Sequence, residues 1–348
     1  MTQGAPENGV DGVPGPNRLV RITLLVVAVA LAGILLWLIL AQAPNSLPEP
    51  DGRNRLEPVA SINGPGSGDL PFLDRPLAVA WGTDGDIFVS DTGNGRICIF
   101  SSRGRFIREI GRAPAKATAA ERRLALQQPA GLVVADDGSV YVADLRAGVV
   151  RHFSRNGVLL GSLRAPAKPA SPKWMPVDVA VFEGEVYVAD AQGVAVFNSK
   201  GKLARRFDRS TSTRAFQRPA SIGVRRDGAL LVSDTNAARV VALGSNGQPY
   251  WAIPSTDATS SRIFGLPRGL AIAENDSAMV VDAFRFGLTH LSSTGEVLDT
   301  YGTEGSKPGY FRYPNDVAIR GDLLLVADKE NDRVQVLRLR SLLTDPLD

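Results

Sequence analysis

Beyond residue 75 the apolar positions fall into short runs of four to six, rich in Val, Ile and Leu and separated by tight polar turns, and this pattern recurs six times. The copies read PLAVAWGTDGDIFVSD from Pro76, PAGLVVADDGSVYVAD from Pro129, PVDVAVFEGEVYVAD from Pro176, PASIGVRRDGALLVSD from Pro219, PRGLAIAENDSAMVVD from Pro267 and PNDVAIRGDLLLVAD from Pro314. Each is a proline, a strand, a turn, and a second strand that closes on a small residue and an aspartate: Asp91, Asp144, Asp190, Asp234, Asp282 and Asp328. Asp84-Gly85, Asp137-Gly138 and Asp227-Gly228 are hairpin dipeptides. A third apolar strand follows each aspartate, and in five copies a glycine turn and a fourth strand come next, as in FIREIG from Phe106. The sixth copy ends without a fourth strand, whereas Pro58 to Ile62 forms a strand with no partner of its own.

A period of about 40–50 residues carrying several strands predicts a propeller blade. The chain is therefore expected to be an all-β, six-bladed β-propeller over residues 57–340, closed by pairing the N-terminal strand into blade six so that neither sheet edge stays open. Side-chain size points the same way. Four residues after each proline stand Ala80, Val133, Ala180, Gly223, Ala271 and Ala318, and just before each aspartate stand Ser90, Ala143, Ala189, Ser233, Val281 and Ala327. Nearly all are small, as wedge-shaped sheets converging on an axis require.

The pattern of proline, apolar strand, Asp-Gly turn, small residue and aspartate, with an Arg a few residues on, resembles the NHL-repeat family of six-bladed propellers. Blade six, PNDVAIRGDLLLVADKENDRVQVL, is nearest to that consensus, and blade one, with SDTGNGRICIF, follows. Blade three departs with its shortened DAQGVAVF, and blade five with Asn275-Asp276-Ser277 in place of a hairpin glycine. The resemblance implies the fold and leaves function open. Amidating-lyase members use histidine-rich metal sites, for which this chain has no matching residues, and virginiamycin-type lyases in related propellers need a histidine at the mouth. The chain has two histidines, His152 and His290, both on third strands at positions that are apolar in other blades.

Ahead of the repeats, Ile22 to Ala41 carries no charge. At about 1.5 Å per residue the run matches a bilayer core of about 30 Å. Residues 1–18 read as a disordered cytoplasmic tail, 19–43 as a single transmembrane signal-anchor helix, 44–56 as a linker and 341–348 as a C-terminal tail. Arg18 and Arg21 before the run orient the N-terminus inward. Ala41-Gln42-Ala43 offers a cleavage pattern, but the run exceeds a signal peptide's apolar core and Pro44 follows the cut. A membrane-tethered, extracytoplasmic propeller is the expectation, at the periplasm or cell surface.

Composition narrows the chemistry. Lys and Arg number 39 against 36 Asp and Glu, and a net charge of +3 gives no reason to expect nucleic acid. One cysteine, Cys98, excludes an internal disulfide and reads as packed and inert. Residues flanking each proline and following each aspartate share one end of the ring, the mouth. There the recurrent aspartates and Arg96, Arg239 and Arg333 read as loop braces, whereas residues that break the repeat are better ligand contacts: Trp174, Asp178, Arg268, Phe284, Phe286, Tyr313, Asn315 and Asp316. Arg146, Arg218, Arg285 and Lys329 share that end. Asp178 and Asp316 occupy one slot three blades apart and face across the axis, so a divalent cation between them is the alternative to no cofactor at all. Ala115 to Gln128, after Pro114, reads as a short helix on the mouth with Arg122 and Arg123 exposed. The expected function is a binding or scaffold module for a protein, peptide or other envelope ligand. A lyase or lactone hydrolase with a metal near the axis is the alternative.

Overall fold

A computed structural model describes residues 56–65, 70–165, 174–208, 215–254 and 263–339. The expected tail 1–18, span 19–43, linker through residue 55 and tail 341–348 lie outside these residues. No helix among the described residues is long and apolar enough to cross a membrane.

The described chain forms six four-stranded antiparallel sheets. Five are built from consecutive strands. In the sixth the order runs from Glu57–Ile62 to Arg333–Arg338, Leu323–Asp328 and Pro314–Arg320, so the first strand of the chain completes the last blade, as the missing fourth strand requires. Second and third strands are mostly buried, and Ile87–Asp91 and Arg96–Phe100 are buried throughout. They are covered on both faces by neighbouring blades, which is why they read as continuous apolar runs. Fourth strands such as Val297–Tyr301 are half exposed. Between blades the apolar side chains form clusters. Blade six meets blade one through Leu325, Val334 and Val336 against Val79, Val89 and Phe100.

Both departures from the repeat have local causes. In blade five Asp276 takes the left-handed conformation of the absent glycine (φ 61°), while Asn275 Oδ1 accepts the Ser277 N–H. In blade three the shortened DAQGVAVF turn is closed by Asp190, whose Oδ1 accepts the Gln192 and Gly193 N–H groups at 2.8 and 3.1 Å, so the third strand starts at Gly193. The helix is shorter than expected. It runs Ala119–Leu124 and starts at Thr118, whose side chain and Glu121 make a reciprocal capping box, so Pro114 does not open it. Arg122 and Arg123 are exposed, and Leu126 just beyond packs into the core between blades one and two.

The six repeat aspartates are buried and tie the incoming loops to the sheets. Asp144 accepts the N–H groups of Gln127 and Gln128, Asp234 those of Gln217 and Arg218, and Asp282 those of Gly265 and Leu266. In three blades the arginine of the repeat adds a guanidinium: Arg96 Nε lies 2.7 Å from Asp91, Arg239 Nη2 2.7 Å from Asp234, and Arg333 Nε 2.7 Å from Asp328. Arg96 is fully buried and also reaches Glu109 at 2.6 Å.

Removing one partner of such a pair leaves a buried charge, and Arg96→Met is expected to destabilise the domain by about 3–5 kcal/mol in urea unfolding. Unfolding curves that overlay those of the unmodified protein would refute the brace. Comparing a chain that begins at Leu56 with one that begins at Asn63 tests closure. The shorter chain should lose about 10 °C or more in Tm and self-associate through the bared Arg333–Arg338 edge, and equal melting with no association would count against closure.

Candidate functional site at the axis and mouth

The first strands of the blades surround the axis: Ala78–Trp81, Pro129–Val134, Pro176–Phe182, Pro219–Val224, Pro267–Ile272 and Pro314–Arg320. Where Pro176, Pro219 and Pro314 enter their strands, the register slips before the residue two positions on. Such bulges re-aim a side chain. Here they stand at Asp178, Ser221 and Asp316.

Each aspartate reaches the next blade. Asp178 Oδ2 accepts the Ser221 hydroxyl at 2.7 Å and the Ile222 N–H at 2.9 Å, and Ser221 Oγ in turn accepts the Leu270 N–H at 3.2 Å. Asp316 Oδ2 accepts the Val79 N–H at 3.0 Å. On the other side the carboxyls press on glycine: a Cβ at Gly131 would lie 2.1 Å from Asp178 Oδ1, and one at Gly269 would lie 2.1 Å from Asp316 Oδ1. The slot thus holds a Gly-Asp pair twice, three blades apart, and no larger side chain fits beside the acid.

The two aspartates line two axial cavities and so form the partition between them. On the far side is an apolar bore of about 260 Å³ with Val79, Val179, Ile222, Leu270 and Val317 in its wall, together with five of the small residues expected there: Ala80, Val133, Ala180, Ala271 and Ala318. On the mouth side is a smaller cavity of about 80 Å³. Arg218, Arg268 and Asn315 line it above the aspartates. Arg268 donates from Nε (3.0 Å) and Nη2 (2.8 Å) to Asn315 Oδ1, and Asn315 Nδ2 donates to the Leu77 carbonyl at 2.6 Å. The amide therefore fixes the guanidinium over the axis and links blades five, six and one.

Burial raises both carboxyls. Asp178 is pushed up to about 6, and Asp316 is held well above the usual carboxylate range, first by burial and then by the charge of Asp178. Burial, then Arg218, lowers Arg268, with Asp316 opposing. The two acids do face one another closely enough to interact. Each has an oxygen that accepts from a backbone N–H, and among the described residues they belong to no group of three or more His, Cys, Asp or Glu that could hold a metal ion. Hard cations take about six to eight oxygens.

Phe284, Phe286 and Tyr313 form one cluster at the mouth, with Tyr313 meeting Phe284 edge-on at 6.2 Å and Phe286 at 5.2 Å. Phe284 is 57% and Tyr313 43% exposed. Trp174 is occupied otherwise. Its Nε1 donates to Asp190 Oδ2 at 2.7 Å and its ring packs on Phe197. Arg206 pairs with the same carboxylate through both terminal nitrogens at 2.7 Å. Together they brace blade three, where the shortened turn has removed the repeat arginine. Arg206 escaped the sequence reading because it lies on the fourth strand, outside the recurring motif. Arg218 is placed at the mouth by the sequence but not among the ligand contacts, and Ser221 is not named there, although it is the one other polar residue in the slot of Asp178 and Asp316.

His290 is buried with Nε2 3.0 Å from Ser277 Oγ, and His152 stacks on Tyr141 at 4.0 Å. Burial lowers both imidazoles, and neither lines an axial cavity. Cys98 is buried, and desolvation pushes its thiol up.

The NHL repeat family model matches residues 73–100 and 311–337, within blades one and six, the two nearest the family consensus. The chain carries NHL repeats on a six-bladed propeller. No curated protein sequence matches it. Among solved structures, a streptogramin B lyase is 13% identical, covering 82% of this chain and 97% of its own, with a TM-score of 0.55. A catalytically inactive virginiamycin B lyase variant from Staphylococcus aureus, solved with quinupristin, is 15% identical over 80% of this chain and 86% of its own (TM-score 0.55). A protein of unknown function from Bacteroides thetaiotaomicron is 16% identical over 82% and 76% (TM-score 0.61). At these identities the likeness shows the fold alone.

The raised carboxyls set a pH dependence. Unfolded, Asp178 titrates near 4, whereas folded it keeps its proton to about 6. Between these values the folded state binds more protons, so this group costs stability as pH rises through the window and the cost is complete above it. Asp178→Asn keeps an acceptor for Ser221 and Ile222 without the charge. It should match the unmodified protein near pH 4 and exceed it at pH 8, by on the order of 3 kcal/mol. A difference that does not change with pH would contradict the burial of charge at the axis.

Proposed function

We propose that the propeller is a binding module whose mouth grips a segment of a partner protein, and that the N-terminal apolar run holds it at a membrane on the extracytoplasmic side. The observation that carries the reading is the aromatic cluster. Phe286 and Tyr313 hold left-handed backbone (φ 53° and 47°), a conformation costing a bulky residue on the order of 1–3 kcal/mol. The slot of Phe286, just before the third strand, is Gly95, Gly148, Ala238 or Asp332 in other blades, all at positive φ. Blade five thus carries a strained ring where a small or polar residue would suffice. With Phe284 and Tyr313 the ring builds an apolar shelf open to solvent, Tyr313 standing just before the strand that carries Asn315, and exposed aromatic residues are the usual anchors of protein interfaces.

The lyase likeness supplies a fold without a matching site. The chain's two histidines both lie on third strands, away from the mouth. An enzyme built on Asp178 and Asp316 would have two carboxyls and no further acid, histidine or thiol beside them among the described residues.

Photo-crosslinking in cells checks the mouth directly. Benzoylphenylalanine placed at position 284 should give a discrete protein adduct. The same group at position 83, on the Asp84-Gly85 hairpin at the other end, should give none. Adducts of equal yield from both ends, or none from 284, would remove the mouth as the interface.

A further inference from the structure

We propose that the axial cavity at the mouth is a carboxylate receptor, taking one side-chain or C-terminal carboxylate of the bound segment between Arg218 and Arg268. The assignment rests on the mouth being the binding face and names what its centre recognises.

Three observations lead to it. First, charge is left over. Arg75 and Lys329, which line a neighbouring cavity at the same end, already pair with Asp74 at 3.0 Å and Glu330 at 2.6 Å. Arg218 and Arg268 form no ion pair among the described residues, and the only side chain that bonds the Arg268 guanidinium there is neutral Asn315. Two guanidinium groups that repel each other are thus held at one concavity by the backbone of Pro219–Val224 and by an amide clamp. Second, the nearest acids cannot swing up to neutralise them. Asp178 is tied down by Ser221 and Ile222, Asp316 by Val79, and both are wedged over glycine. Burial favours their protonated forms, which leaves the cavity positive. Third, size and floor select the anion. About 80 Å³ is the room of a few water molecules, enough for a carboxylate head and too little for a nucleobase. A phosphate dianion brings twice the negative charge of a carboxylate toward two acids whose ionisation any bound anion opposes. The fork of a guanidinium matches a carboxylate in plane and spacing.

The other charged groups that reach this site are those already named: Asp178 from blade three, Arg218 with the Ser221 hydroxyl from blade four, Arg268 from blade five and Asp316 from blade six. As pH rises and the acids ionise, the floor turns negative and opposes an incoming anion. Binding should therefore weaken toward alkaline pH.

The test uses propionate as probe, isosteric propionamide as uncharged control and inorganic phosphate as competing anion, at fixed ionic strength, read from the arginine Nε–Hε resonances of the folded protein. Propionate should shift the Arg268 resonance saturably at pH 5.5, and propionamide should not. Arg218→Gln, a change at an exposed side chain, and Arg268→Gln should each weaken binding about tenfold, and affinity should fall at least threefold between pH 5.5 and 8. Asp316→Asn should flatten that fall. Equal shifts from propionate and propionamide, tighter binding of phosphate, full binding by Arg218→Gln, or a rise in affinity with pH would each overturn the receptor. A crosslink from position 284 that persists in the face of such a result would leave the mouth as an interface and remove only its carboxylate chemistry.

Discussion

Crowding at the axis is the constraint on which the rest of this structure depends. Six first strands share one line, and the bore between them is walled by Ala80, Ala180, Ala271 and Ala318 together with Val, Leu and Ile side chains. Two carboxyls nevertheless occupy that space. They can do so because each has a glycine on one side to yield room and a backbone N–H on the other to accept from. Their position divides the axis into an apolar bore and a cationic cup. The same crowding keeps solvent from them, which accounts for their raised titration.

Recurrence separates framework from recognition at the mouth. What repeats is bracing: six buried aspartates receive the incoming loops, and three arginines lock their carboxylates. Where blade three drops its arginine, Trp174 and Arg206 converge on Asp190 and restore the brace. A residue that departs from the repeat can therefore be a structural substitute. The shelf of Phe284, Phe286 and Tyr313 differs: its rings touch one another, Phe284 and Tyr313 are exposed, and Phe286 and Tyr313 hold left-handed backbone.

Most of the framework was legible in the amino-acid order because it is written in period and size. Pro58 to Ile62 lacked a partner and blade six lacked a strand, so closure followed from edge physics, and the small residues along the bore followed from convergence. Asp178 and Asp316 were legible as an opposed pair. Their hydrogen bonds were not, because the bulges after Pro176 and Pro314 that turn them toward neighbouring blades leave no trace in composition. The helix boundary was missed because the Thr118–Glu121 capping box outweighs the proline four residues earlier. Arg206 was invisible because an arginine on an outer strand is ordinarily solvated, and only the three-dimensional loss of a neighbour gives it a partner.

The central claim is that a pair of carboxyls is held, short of counter-charge, on the axis of a closed ring. Carboxyl carbon resonances of Asp178 and Asp316, followed through a pH titration of the intact propeller, test it most directly. The account predicts that both titrate above the ordinary aspartate range, with Asp178 near 6 and the two steps mutually dependent. Two independent transitions close to 4 would contradict it.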